Sequence, residues 1–287
     1  MNNLTIYSDE ELKIIQKLEL DALKVVLEVC RLIHVECFAV GGTALGAIRH
    51  RGFIPWDDDI DIGMIRDDYV HFLNEAPQYL PPNYHLQTPY DNKINPYFYT
   101  KIRIDGTRFV EYSNHRLDIH QGVYIDIFPF DEVPDNNGEN RRHFKKAQRL
   151  LNLFVLRQSP DMSKVAETPK EKLKCCIRRI MHTCVQIIPH DYLVSKIDTH
   201  VQKYNGTDQK AVSCLNVPVW KAEYVKKSDL YPLQKRKFEG VDVPIPKNYD
   251  VYLRTHYGNY MQLPPVEKRF GHKPYEIRFY DESKEKR

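Results

Sequence analysis

GGTALGAIRHRGFIPWDDDIDIGM, residues 41–64, sets a glycine pair, a short amphipathic run, a tight loop and four acids next to one another. Carboxylates this dense repel each other. A folded chain keeps them on a solvated surface or gathers them around a cation. The tail of the stretch, 59–64, alternates acid and apolar residues, the pattern of a half-buried strand. Side chains on a strand alternate faces, so Asp59 and Asp61 point the same way with Ile60 and Ile62 packed behind. Their Cα atoms then stand roughly 6.5–7 Å apart, a spacing at which two acids share hard cations. Asp57 has the same parity at the loop end, and Asp58 points elsewhere.

Working outward, Gly41-Gly42-Thr43 lies between a β-rich run at 35–40 and a brief helix over 43–50. Glycine lets backbone approach a ligand closely. A helix N-terminus offers unpaired N–H groups and partial positive charge, so phosphate is its natural guest. Downstream, Tyr124-Ile125-Asp126-Ile127 repeats the apolar–acid–apolar strand pattern. Laid beside the first strand, it adds Asp126 as a third carboxylate. Oxygen-only ligands favour Mg²⁺ or Mn²⁺ over zinc or copper. Alone, an Asp run also fits a calcium-binding or solvated turn. The glycine pair, the Asp-x-Asp and the third flanked Asp together are far more specific.

The rest of the chain reads as follows. Ser8 and Glu11 form a capping box ahead of an apolar helical stripe over 9–33. The span 66–80 is helical, 97–105 and 122–128 are strands, and 138–158 and much of 168–204 are helical. A hairpin turns at 238–241, and a helix over 247–257 stops at Gly258. The prediction is an α/β (α+β) fold: a catalytic core over 1–135, a helical, basic elaboration over 136–226, and a C-terminal hairpin and helix over 227–287 that completes the core.

The bulk numbers fit. The 287 residues are 42% hydrophobic and 28% charged, as in an ordinary globular protein. No apolar window is long enough to span a bilayer. The polar start carries no signal pattern, so a cytoplasmic protein is expected. The six cysteines form no C-x-x-C pair, which argues against a zinc site or a disulfide framework. Between 140 and 180 there are twelve Lys/Arg against three Asp/Glu, so this part carries +9 and the rest −6 of a total of +3. A solvated face is one account of that asymmetry. The sharper one is peripheral contact between 141–180 and an anionic membrane, at its inner face, or a lipid-linked glycan. Nucleic acid is not expected, because no recognisable nucleic-acid module accompanies the charge.

The motif Gly41-Gly42-Thr43, Gly46, Ile48-Arg49-His50, Gly52 to Trp56 and Asp57 to Asp61 resembles the signature of the LicD family, as does Gly122 to Pro129. The likeness is dense over 12–131, looser over 230–274, and carries no motif over 136–224. It implies a nucleotidyltransferase-like mixed sheet with flanking helices, shared with phosphorylcholine transferases and, distantly, fukutin. It also implies that Asp59, Asp61 and Asp126 hold Mg²⁺ or Mn²⁺, that Gly41, Gly42 and Thr43 seat donor phosphates, and that Arg49 and Lys101 neutralise them. Asp126 is the acid expected to take the acceptor's proton.

The implied reaction moves a substituted phosphate, phosphocholine from CDP-choline, to a sugar hydroxyl of a surface glycan, lipopolysaccharide or teichoic acid precursor. Transfer of the nucleotide itself, or a purely structural cation, would use the same acids. Several residues have bland alternatives. Arg49 can pair with Asp57 or Asp58. Lys101 and Arg103 can face solvent on one strand, and Trp56 can staple its loop to the core. His50 can merely orient the loop, and His272 can be structural or exposed. Alternation puts Tyr97, Tyr99 and Lys101 on one face, so Trp56 with Tyr97 or Tyr99 is the candidate aromatic cage for a quaternary ammonium.

Overall fold

A computed structural model describes residues 7–91, 93–162, 166–218, 223–272 and 274–279. Part of the polar start, Lys164 of the basic span and Lys273 lie outside the described residues.

Helix α1 (Asp9–Leu32) begins at Ser8, whose side chain accepts from Glu11 N while Glu11 reaches back, the capping box the sequence spells. Its apolar stripe is buried. Strand β1 is only Phe38–Ala39, shorter than the β-rich run 35–40, and α2 (Gly41–Arg49) starts on the glycines themselves. Strand β2 (Asp61–Ile65) follows the loop, then α3 (Arg66–Glu75), β3 (Tyr84–Gln87), β4 (Thr100–Ile104), β5 (Arg108–Val110) and the long β6 (Tyr124–Val133). Next come α4 (Asn137–Gln158), α5 (Pro169–Val185) and α6 (His190–Val201). The helical span 168–204 is therefore two helices, parted where Pro189 supplies the N-cap of α6. The chain closes with β7 (Ala211–Cys214), β8 (Glu223–Lys226), α7 (Lys227–Leu230), the hairpin β9 (Gln234–Phe238) and β10 (Val241–Ile245), α8 (Tyr249–Tyr257) and β11 (Glu276–Arg278).

The main sheet is mixed and runs β1-β2-β6-β4-β3. Strands β2 and β6 are parallel, and β4 is antiparallel to β6. Below the site, β6 continues past Phe130 to pair with β7, which pairs with β8. The span 136–226 is thus not helical throughout, because two of its strands extend the same sheet. The α/β class holds, with helices packed on a mixed sheet. One apolar core lies between α1, α2, α3 and the sheet. A second gathers Phe98, Val133, Leu151, Phe154, Leu193 and Ile197, joining α4 and α6 to the far end of β6. Arg66 and Asp131 lock the boundary: the pair is buried, bidentate at 2.8 and 2.5 Å, and further tied to Asn216 and Asn205.

Candidate active site

The parallel register of β2 and β6 sets Asp61 directly opposite Asp126. The antiparallel register of β4 sets Lys101 opposite Asp126 on the other side. Asp59 lies two residues before β2, where Asp126 N donating to Ile60 O at 2.8 Å carries the pairing backwards. Ile60 and Ile62 are fully buried behind the acids, as the alternation requires. Among the described residues, the group of three acids whose oxygens all lie within 4.8 Å of one another is Asp57, Asp58 and Asp59. Asp59, Asp61 and Asp126 do not close into such a group. They stand as neighbours, and burial pushes the Asp126 carboxyl upward against the pull of Lys101, with Asp59 adding to the rise.

The glycines bring α2 against these acids. A Cβ at Gly41 would stand 2.8 Å from Asp61 Oδ2, and one at Gly42 would stand 2.6 Å from Asp57 Oδ2. Gly41 is also left-handed, with φ +53. Its N–H donates to Tyr252 on α8 at 2.9 Å, and the Thr43 hydroxyl accepts from Asp61 N at 2.8 Å. Two of the three groups expected to seat phosphates are therefore already fixing the acid strand and the C-terminal helix.

The loop between α2 and β2 is clamped from the C-terminal part of the chain. Glu239 on the hairpin accepts from Phe53 N. His272 donates its backbone N–H to Asp58, and its ring Nδ1 lies 3.0 Å from the same carboxylate. Asp58 is thus tied to His272, yet it does not point away from the other acids as its parity suggested, because a carboxylate oxygen of it stays within 4.8 Å of those of Asp57 and Asp59. The hydrogen bond to Asp58 raises the His272 imidazole to about 10, against the opposing effect of burial, so it is a cation at neutral pH. His272 is a clamp. Arg49 bonds neither Asp57 nor Asp58: its guanidinium donates to Tyr260 O at 2.7 Å and lies 2.9 Å from His50 Nε2. Trp56 packs half-buried on the core with Arg269 over its ring, 5.3 Å from the centroid. It staples the loop.

Lys101 and Arg103 do not face solvent. Both are 1% exposed, because the face of β4 they occupy is covered. Lys101 Nζ bonds Asp126 Oδ1 at 2.7 Å and lies over the rings of Tyr124, Tyr97 and Tyr99 at 3.4, 4.4 and 5.2 Å. Tyr97 and Tyr99 share its face, and Phe98 turns the other way onto Phe154. On their outer side Tyr97 and Tyr99 wall a cavity of about 390 Å³ that also meets Glu111, Asn114, Leu151 and Val155. Trp56 is not part of that wall.

Three more acids join the site: Asp57, which the sequence reading placed at the loop end without assigning it a role, and two that it missed, Glu19 and Glu111. Asp57 is held beside Asp59, and burial with its acidic neighbours pushes its carboxyl up to about 8. Glu19 on α1 is 1% exposed, and its Oε2 has no hydrogen-bond partner among the described residues. Burial, then Asp59, Asp58, Asp57 and Asp126, push its carboxyl well above the usual range. Its signal was present: Glu19 falls between Ile15 and Ala22 on the buried stripe, where an acid has no packing reason to sit. Glu111 accepts from the Tyr97 hydroxyl and from Asn114 Nδ2, and Lys101 and Tyr97 hold its carboxyl below the usual range despite burial. No periodicity marks it.

Burial first, and the neighbouring acids after it, pushes these carboxyls upward, and a buried Glu19 oxygen is left without a hydrogen-bond partner among the described residues, a chemistry that suits an all-oxygen ligand set for a hard divalent cation. The donor set fits magnesium or manganese.

Residues 34–151 match the model for the LicD/FKTN/FKRP nucleotidyltransferase domain. The chain is 27% identical over 242 residues, 81% of its own length and 84% of the other's, to the lipopolysaccharide cholinephosphotransferase LicD of Haemophilus influenzae. Shorter stretches are 41% identical over 61 residues to an uncharacterized Rickettsia typhi protein, covering 21% of this chain and 19% of that one. Another is 44% identical over 46 residues to an uncharacterized protein of Rickettsia prowazekii, covering 16% and 17%. The family match falls on β1, α2, the acid loop, β2, β4 and β6, the elements that build the site, so it is over these residues that the chain is similar to the LicD family.

Proposed function

We propose that this is a phosphotransferase of nucleotidyltransferase fold that moves phosphocholine from CDP-choline to a sugar hydroxyl of a surface glycan precursor. The observation that carries the reading is the junction at Lys101. Its ammonium bonds Asp126 and lies over the rings of Tyr97 and Tyr99, which line the aromatic cavity, so one side chain links the acid cluster to that cavity. The similarity to a cholinephosphotransferase over most of both chains supports the chemistry of the transferred group.

A magnesium or manganese ion held by Asp59, Asp61 and Asp126 would supply charge neutralisation for the donor pyrophosphate and the acceptor oxygen. The chain's own residues do the rest. Lys101 fixes the rotamer of Asp126, which receives the acceptor's proton at a carboxylate oxygen. The start of α2 presents backbone N–H groups to the donor phosphates. Tyr97 and Tyr99 offer ring faces to a cation, as they already do for Lys101, and Glu111 adds a fixed negative charge in the same cavity. A quaternary ammonium has no donor to offer, so π faces and a carboxylate are the means of reading it.

The test is product analysis with CDP-choline, a divalent cation and a glycan acceptor, repeated with CDP-ethanolamine. The proposal expects CMP release, phosphocholine on the acceptor and a preference for choline. Tyr99→Leu and Glu111→Gln should erase most of that preference, a several-fold to thirtyfold effect. Nucleotide on the acceptor would establish nucleotidyl transfer instead, and cation binding without turnover on any nucleotide donor would reduce the acids to a structural site. Equal losses on both donors would remove the headgroup from this cavity.

A further inference from the structure

Helix α5 is built inside out. Leu173, Cys176, Ile177, Ile180, Met181 and Cys184 recur at three- and four-residue steps and share one face. In a helix covering a core that face would be buried. Here Leu173 is 61% exposed, Ile177 48%, Ile180 65% and Met181 51%, and both cysteines are exposed or nearly so at the surface. The opposite, polar face makes the contacts to the protein. Arg178 donates to Asp161 O and Ser159 O, both at 3.0 Å, and the His182 ring meets Leu156 O at 2.8 Å. Val185 is the buried apolar residue of the helix, and Gln186 just beyond donates to Arg157 O at 2.7 Å. The apolar stripe continues into Ile187, the most exposed large hydrophobic residue of the described chain at 87%.

The stripe is flanked by charge. Lys170, Lys172 and Lys174 border it, Arg179 turns to the polar side and pairs with Asp161 at 2.9 Å, and Glu171, spent on the capping box with Thr168, is the helix's single acid. A helix of 17 residues with five cations cannot span a bilayer, and among the described residues no helix is long and apolar enough to do so. Apolar residues projecting outward between lysines whose stems reach back to the headgroup level describe a helix lying in a membrane interface. The exposed Arg141, Arg142, Lys145, Lys146 and Arg149 of α4 add to the same field.

We infer that α5 docks this protein on an anionic bilayer, with Leu173, Ile177, Ile180 and Met181 entering the acyl boundary and Lys170, Lys172 and Lys174 at the headgroups. A self-association face needs no such rim of like charge, which would repel its own copy across a symmetric contact. The function this adds is placement: the aromatic cavity lies beside α5, with Arg178 of that helix in its wall, so a docked enzyme holds its site at the bilayer surface.

The experiment is co-sedimentation of the full chain with vesicles of phosphatidylcholine alone and of phosphatidylcholine with phosphatidylglycerol, across a salt series. Two triple variants accompany it, Ile177→Gln/Ile180→Gln/Met181→Gln and Lys170→Gln/Lys172→Gln/Lys174→Gln. All six positions are on the surface, so both variants should keep the wild-type circular dichroism and melting temperature. Wild type should bind the anionic vesicles and release with salt, and each variant should bind more than about tenfold more weakly. Wild type ignoring anionic vesicles at low salt overturns the inference. So does a glutamine variant binding as well as wild type, or a wild-type dimer that the apolar variant converts to monomer while neither touches lipid.

Discussion

A single methyl group tests whether the position of Asp61 matters to the chemistry. Gly41→Ala places a Cβ 2.8 Å from Asp61 Oδ2, at a residue with φ +53. The backbone of Asp61 is held by its bond to Thr43, so the carboxylate itself must rotate away by a few tenths of an ångström or more. The left-handed conformation costs an alanine roughly 1–2 kcal/mol, offset by about 0.4–1 kcal/mol from the stiffer unfolded chain. The net loss is about 1 kcal/mol, worth about 2–4 °C in melting temperature for a chain of this size. Activity should fall far more, by about a hundredfold, because reacting groups tolerate little displacement. Gly42→Ala is the partner experiment. It lies in the first turn of α2 without a left-handed φ, so its melting temperature should hold or rise, while its Cβ presses on Asp57 Oδ2 at 2.6 Å. Scanning fluorimetry and initial rates on the same preparations read both. Gly41→Ala with more than half the wild-type rate would refute the placement of Asp61 in the reacting site.

Asp59→Asn and Asp61→Asn should fold and lose at least a hundredfold in turnover, with cation-free melting temperatures equal to or above wild type as like-charge repulsion is relieved. Asp126→Asn should lose the same activity but melt lower, since it strands the buried Lys101 ammonium; equal melting in all three variants would show that Lys101 needs no partner. Asp131→Asn should cost about 3–5 kcal/mol in urea unfolding by leaving Arg66 buried and unpaired, and a loss under about 1 kcal/mol would contradict that. Burial and the His200 ring push His143 down to about 4, so the unfolded chain takes up the proton first as pH falls below 6.5. Stability should therefore decline between pH 6.5 and 4, and His143→Gln should flatten that decline in pH-dependent melting.

Periodicity made much of the fold legible. Two apolar–acid–apolar runs are parallel neighbours because each buries its isoleucines on one side and shows its acids on the other. The capping box of α1 and the turn between β9 and β10 were local signals and stand as read. What failed was non-local. The run 35–40 is a strand over only two residues, because the β1 ladder pairs Phe38 with Gly63 and Ala39 with Ile62 and ends on the bond from Val40 N to Asp61 O. Strands β7 and β8 lie inside a span read as helical, and they exist because β6 outruns its other partners and offers Asp131 to Val133 for pairing. The clamps on the site arrive from 211 and 214 residues away, at Tyr252 and His272, and no spacing rule reaches that far.

The same limit governs direction. A helical pattern says that one face is apolar; it does not say which way that face points. On α1 the stripe turns inward and carries Glu19 with it, so an acid in a core position marks the acid cluster. On α5 an equally regular stripe turns outward, because the opposite face satisfies carbonyls left open where α4 ends: Arg178 takes Ser159 and Asp161, and His182 takes Leu156. Unpaired carbonyls at a helix end are costly to bury, whereas exposed leucine and isoleucine are costly only until something apolar covers them. The polar contacts therefore fix how α5 sits. The apolar face is left uncovered by the described residues, and on the inferred docking the lysines beside it would favour a surface of negative charge.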